Sequence, residues 1–245
     1  MALKTSLPSG HLERYVRRQL EAHFPDDAVH DFSSLIVRTL PRIEHCFAAI
    51  DHCAYGTAET PTFDHLHADQ YTTFLYYASR VAALELRQPA LATKLFLLNR
   101  AMHAFVCTYE IELPPVMYLN HVVGTVLGRG TYGNYLVVTQ NVTVGHDRDL
   151  APIIGEHVTI YGGAMLVGDT RIADDVAIAP NSTLRNCSVP PSSIVAGRSP
   201  DLTIKPRSES SRRSFFRFPP AVNPCLPAAG TQRAIAGRLE RFPGA

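Results

Sequence analysis

An apolar residue at every sixth position is the feature that most narrows what this chain can fold into. Val126, Tyr132, Val138 and Val144 are six apart, and after an interruption Ile154, Ile160, Leu166, Ile172, Ile178 and Leu184 resume the step. Four places after most of them stands a small or β-branched residue: Val142, Val158, Ala164, Thr170, Val176, Ser182 and Ser188. Ordinary strand alternation has period two and therefore resonates with six. It does not explain why Gly, Asp and Asn return at one phase, as in IYGGAM, LVGDTR, IADDVA and IAPNST. A hexad with one inward aliphatic side chain and polar residues that turn a corner is the unit of a parallel β-helix. One unit alone buries almost nothing, so the core exists only once several coils are stacked.

The rest of the chain has a different texture. Between about residues 10 and 112 the apolar period is helical: Leu12, Tyr15, Val16 and Leu20, then Phe32, Leu35, Ile36, Leu40, Ile43 and Phe47. Ser9 is the expected N-cap of the first helix, and Pro41 is expected to kink or split the second. Residues 52–62 are expected to form a loop, and two more helices follow in QYTTFLYYASRVAALEL and ALATKLFLLNRAMHAFVCTYE. From Pro206 the chain carries seven Arg against two Glu with no sustained period, which predicts a basic, Pro-rich, partly disordered tail. The fold class is thus α+β, with a helical part at 1–112, a β-helix at 113–205 and a tail at 206–245. Lys and Arg together number 23 against 22 acids, too even a balance for a protein that depends on neutralising phosphates, so no nucleic-acid partner is expected. The five Cys are scattered without pairing, the first twenty residues lack an apolar signal core, and no apolar run is long enough for a membrane span. These features point to a cytoplasmic protein with reduced thiols.

The helical part followed by hexads resembles the serine acetyltransferase family within the hexapeptide acyltransferases. The most specific stretch is LNHVVGTVLGRGTYGNYLVVTQNVTVG, supported by DQYTTFLYYASR upstream and VAGRSPDLTIKP downstream. The resemblance implies a left-handed β-helix, the opposite hand from ordinary parallel crossovers. It also implies transfer of an acetyl group from acetyl-CoA to a hydroxyl, without a covalent enzyme intermediate. His121 would be the general base, suited by an imidazole that titrates near neutrality. The family orients this base with an upstream acid, for which Glu112 is the candidate. Just before the base the family has an acid that grips the ammonium of serine, but here Asn120 stands there. Asp69 lies near the family's other substrate acid, and His146 is the one His in the short loop that breaks the repeat. For coenzyme A the matching positions are Gly162, Gly163, Ala164 and Ala179, with Arg198 and Lys205 as basic contacts.

No metal is expected, because His146 and His157 are eleven apart in a chain stepping by six and do not share a corner. Two rival readings accompany serine as acceptor: a sugar or glycan hydroxyl, which the neutral Asn120 suits, and an inactive β-helix scaffold. The flat faces of a short prism predict a homotrimer, or a dimer of trimers joined through the helices.

Overall fold

The computed structural model describes residues 2–26, 28–208 and 215–217. Four helices come first: α1 (Ser9–His23), α2 (Phe32–Ala48), α3 (Ala68–Leu84) and α4 (Pro89–His103). Each buries the stripe its period announced, with Leu12, Val16 and Leu20 on α1 and Leu35, Ile36, Leu40 and Ile43 on α2. Pro41 does not split α2, which runs unbroken through it. Burying Leu40, Ile43 and Phe47 is worth roughly 1.5–3 kcal/mol each, together more than the ~3 kcal/mol that an internal proline costs a helix. Nor is Ser9 a cap. Pro8 takes that place, and its carbonyl accepts from the amides of His11 and Leu12. Between α2 and α3 the expected loop contains a 3-10 turn, Cys53–Tyr55. Beyond it, a two-residue strand β2 (Thr62–Phe63) pairs in parallel with β1 (Lys4–Thr5).

The remainder is a left-handed parallel β-helix of about five turns, three-sided in cross-section. One face stacks β3 (Met117–Leu119), β6 (Leu136–Val138), β9 (Thr159–Ile160), β12 (Ala177–Ile178) and β15 (Ser193–Arg198). The second stacks β4 (Val126–Leu127), β7 (Thr143–Gly145), β10 (Met165–Val167) and β13 (Thr183–Arg185). The third stacks β5 (Thr131–Tyr132), β8 (Ile153–Ile154), β11 (Arg171–Ile172) and β14 (Ser188–Val189). The antiparallel strand β16 (Asp201–Pro206) folds back along β15.

Registers explain the period of six: Ile160 sits beneath Ile178, and Leu166 beneath Leu184, eighteen positions or three hexads apart. The residues Ile154, Ile160, Leu166, Ile172, Ile178 and Leu184 are all buried. Two inward positions differ from the expectation. Val126 is 37% exposed, and Leu127 points inward beneath Val144, because that turn holds seventeen residues instead of eighteen. The same one-residue shortening puts Val189 inside and leaves Ser188 exposed.

The Gly and Asn at fixed phase have a conformational reason. Gly124, Asn141, Gly163 and Asn181 lie at one corner on successive coils, all with φ between 55° and 74°. That left-handed region penalises most side chains and spares Gly and Asn. Helices and coils share a continuous apolar cluster from Leu12 through Val195, so the base of the prism packs directly against α3.

Candidate active site

The first corner of the β-helix, just after β3, meets the N-terminal end of α3. His121 turns this corner with φ of +53°, a conformation unusual for a residue with a Cβ. Two contacts from one carboxylate hold it. Asp69, in the first turn of α3, accepts from the His121 backbone amide at 2.9 Å through Oδ1, and its Oδ2 lies 3.4 Å from the ring Nδ1. Asp69 is only 8% exposed at its side chain, whereas the His121 ring is 78% exposed. A carboxylate at Nδ1 favours the tautomer with the proton there, which leaves Nε2 as an acceptor. Burial raises the pKa of Asp69 above the ordinary aspartate value. The His121 amide, then the rings of His121, His67 and His52, pull it back down.

His121 borders a cavity of about 760 Å³ that runs along the corner. Its walls include Asn120, Gly162 and Gly163 from the expected set, together with residues the sequence did not single out: Asp51, His52 and Tyr118 at one end, and Gln140, Asn141 and Asn181 along the coils. Most amides on the wall are already used within the β-helix. Gly163 donates to the Gln140 carbonyl, Ala164 to Tyr161, Ala179 to Val195 and Asn181 to Gly162. Among the described coil residues that line the cavity, Gln140 and Gly162 are the ones whose N–H has no acceptor. Ala164 is fully buried, its side chain in the prism core. The amides without an acceptor are therefore those of Gln140 and the expected Gly162, whereas the expected Gly163, Ala164 and Ala179 spend theirs on carbonyls of the β-helix.

Four other expected residues lie elsewhere in this chain. Glu112 is 76% exposed and sits 4.0 Å from Arg80, so the carboxylate beside His121 is Asp69 instead. The short span between Glu112 and β3 keeps it at the surface of the helical part. His146 is exposed at the next corner, after β7, whereas His121 follows β3. Arg198 and Lys205 are exposed on the β15–β16 hairpin and do not line the cavity. Among the described residues no three His, Cys, Asp or Glu gather into a metal-binding group, and no helix is long and apolar enough to cross a membrane.

Comparison with known proteins agrees with this architecture. The family model for the bacterial transferase hexapeptide (six repeats) matches residues 151–186. The serine acetyltransferase from Brucella abortus strain S19 superimposes with a TM-score of 0.59 at 19% identity, covering 78% of this chain and 82% of its own. Soybean serine acetyltransferase complexed with serine gives 0.60 at 18% identity, covering 78% and 84%. The chain has the hexapeptide-repeat fold of the serine acetyltransferases. A further serine acetyltransferase structure, in complex with CoA, gives 0.59 at 19% identity, covering 80% and 84%. No curated protein sequence matches.

Proposed function

We propose that the protein is an acetyl-CoA-dependent O-acetyltransferase that moves an acetyl group to a hydroxyl of a small acceptor. The observation that carries this reading is the His121–Asp69 pair at the rim of a cavity lined by unspent backbone amides. In this reading His121 Nε2 accepts the proton of the acceptor hydroxyl as its oxygen attacks the thioester carbonyl, then returns it to the departing thiolate. Asp69 fixes the tautomer and offsets the charge that develops on the ring. In this reading the N–H groups of Gln140 and Gly162, which have no acceptor within the β-helix, receive the oxyanion or the carbonyls of the pantetheine arm. The open corner beside Gly162 and Gly163 suits that arm, which needs close backbone approach rather than side-chain pockets. Arg198 and Lys205 on the hairpin would supply phosphate contacts.

The high exposure of His121 in one protomer is a reason to expect assembly, because general bases work best where water is thinned. Val126, Ile153 and Met165 add exposed apolar area to the flat faces, and we infer a trimer, or two trimers joined through the helices, measurable by light scattering. The test of the activity is thiol release from acetyl-CoA in the presence of hydroxylated acceptors. His121→Ala should lower kcat by roughly two to four powers of ten with CoA affinity unchanged. A folded His121→Ala protein that keeps more than about a tenth of the rate would remove His121 from the role of base.

A further inference from the structure

One end of the cavity is closed by chain from far along the sequence. Residues 215–217 run antiparallel to residues 49–51. The Asp51 amide donates to the Phe215 carbonyl at 2.8 Å, and the Arg217 amide donates to the Ala49 carbonyl at 2.8 Å. The Arg217 guanidinium also donates to the carbonyls of Ala48 (3.2 Å) and Gly56 (2.6 Å), and lies 3.5 Å from the Asp51 carboxylate. Phe216 is buried with its ring 5.4 Å from that of Tyr135. Phe215, its ring 5.9 Å from Tyr118, becomes a wall of the cavity.

This strap changes the charge that an acceptor would meet. Asp69 has both oxygens engaged by His121. Asp51 pairs with Arg217 through one oxygen at 3.5 Å. At Asn120 the side-chain oxygen already accepts from the Tyr118 hydroxyl at 3.2 Å, so the group it offers a ligand is its NH2, a donor. An ammonium group is donor-only and would find a donor there. Among the described residues, the one carboxylate lining the cavity is Asp51, the partner of Arg217, and the coil wall is made of neutral amides such as Gln140, Asn141 and Asn181. Amides both donate to and accept from hydroxyls, while the aromatic face of Phe215 suits the C–H face of a ring.

We propose that the acceptor is a neutral polyhydroxylated ring, a glycoside, rather than an amino acid, and that the 215–217 strap with Asn120 determines this choice. The proposal rests on the acyltransferase reading above. In the step itself a ring hydroxyl gives its proton to His121, the new O–C bond forms as the C–S bond breaks, and the thiol leaves carrying that proton.

The test uses the full chain, acetyl-CoA and two classes of acceptor: methyl glycosides of neutral hexoses, and L-serine. The expected result is a kcat/KM at least about tenfold higher for one or more glycosides than for L-serine. Phe215→Ala should raise the glycoside KM about fivefold or more while the acetyl-CoA KM stays within about twofold, and Phe215→Tyr, which keeps the ring, should restore it. Asn120→Asp should shift the ratio toward serine by about tenfold. L-Serine used as well as every glycoside overturns the proposal and leaves the acyltransferase reading intact. CoA binding by calorimetry without turnover of any glycoside also overturns it, as does a Phe215→Ala protein whose glycoside KM does not move. A protein that binds no CoA fails the earlier reading instead.

Discussion

Two substitutions at Asp69 should separate orientation of the base from stability, because the two carboxylate oxygens do different work. Oδ1 is pinned by the His121 amide at 2.9 Å and Oδ2 faces the ring Nδ1 at 3.4 Å. In Asp69→Asn the side-chain oxygen stays with the amide, so the NH2 must sit where Oδ2 was. It then donates to Nδ1 and drives the ring proton to Nε2, the position that has to be empty for base catalysis.

The electrostatic loss follows from the distance. Unit charges 3.4 Å apart attract by about 5 kcal/mol at an effective dielectric constant of 20 and about 1.2 kcal/mol in water. With the ring 78% exposed, the water limit is the closer one, so 1–2 kcal/mol, or about tenfold in kcat, is at stake. The wrong-tautomer hydrogen bond adds about 1 kcal/mol, for a total near 10²-fold in Asp69→Asn. Asp69→Ala loses the charge but not the tautomer freedom and should fall only about tenfold.

Stability should run the other way. A carboxyl whose folded pKa is raised, as burial raises that of Asp69, stabilises the fold below its unfolded pKa and loses that contribution as pH rises through the folded value. Asn carries no charge and keeps the amide contact, so its Tm at pH 7 should equal or exceed that of the wild type. Ala leaves the amide unpaired and should cost about 1 kcal/mol. The assay is steady-state thiol release beside thermal melts at pH 5 and pH 7. Asp69→Ala slower than Asp69→Asn, or both within twofold of wild type, would refute the reasoning.

The other outcomes are simpler. Glu112→Gln should leave kcat within about twofold in the same assay, because its carboxylate faces Arg80 and solvent. Gly163→Ala should cost about 1–3 kcal/mol by urea denaturation, since φ there is +73° and a Cβ would stand 2.3 Å from Asn181 Oδ1. Burial lowers the pKa of His103 to about 4. Its neutral form thus contributes stability above pH 6.5 that is lost as pH falls through about 4, and His103→Gln should flatten the decline in Tm over that window. The Cys46 thiol is buried and pushed up to about 11, whereas Cys53 is exposed, so a thiol reagent at pH 7.5 should label Cys53 and spare Cys46 until the protein unfolds.

How much could be read beforehand depended on whether a residue's role was local. The inward hexads were legible because each side chain repeats against its own neighbours eighteen positions away. The errors at Val126 and Ser188 came where a turn drops one residue, which leaves no mark on composition. His121 and Asn120 stood out through a local motif. The partner of His121 did not, since Asp69 and Glu112 are both upstream acids and only the packing of α3 on the first coil separates them.

The chain's sequence by itself determined the repeat, the left-handed residues at its corners and the amphipathic helices, all set by steric and hydrophobic preferences acting over a few residues. Tertiary structure alone decided which carboxylate meets the base, which amides remain unspent, and that Arg217 and Phe215 return to the loop holding Asp51 and His52. Those contacts join positions 52 to more than 160 residues apart. No periodicity reaches that far, because such pairings are fixed by how finished elements dock rather than by any preference of the residues that meet.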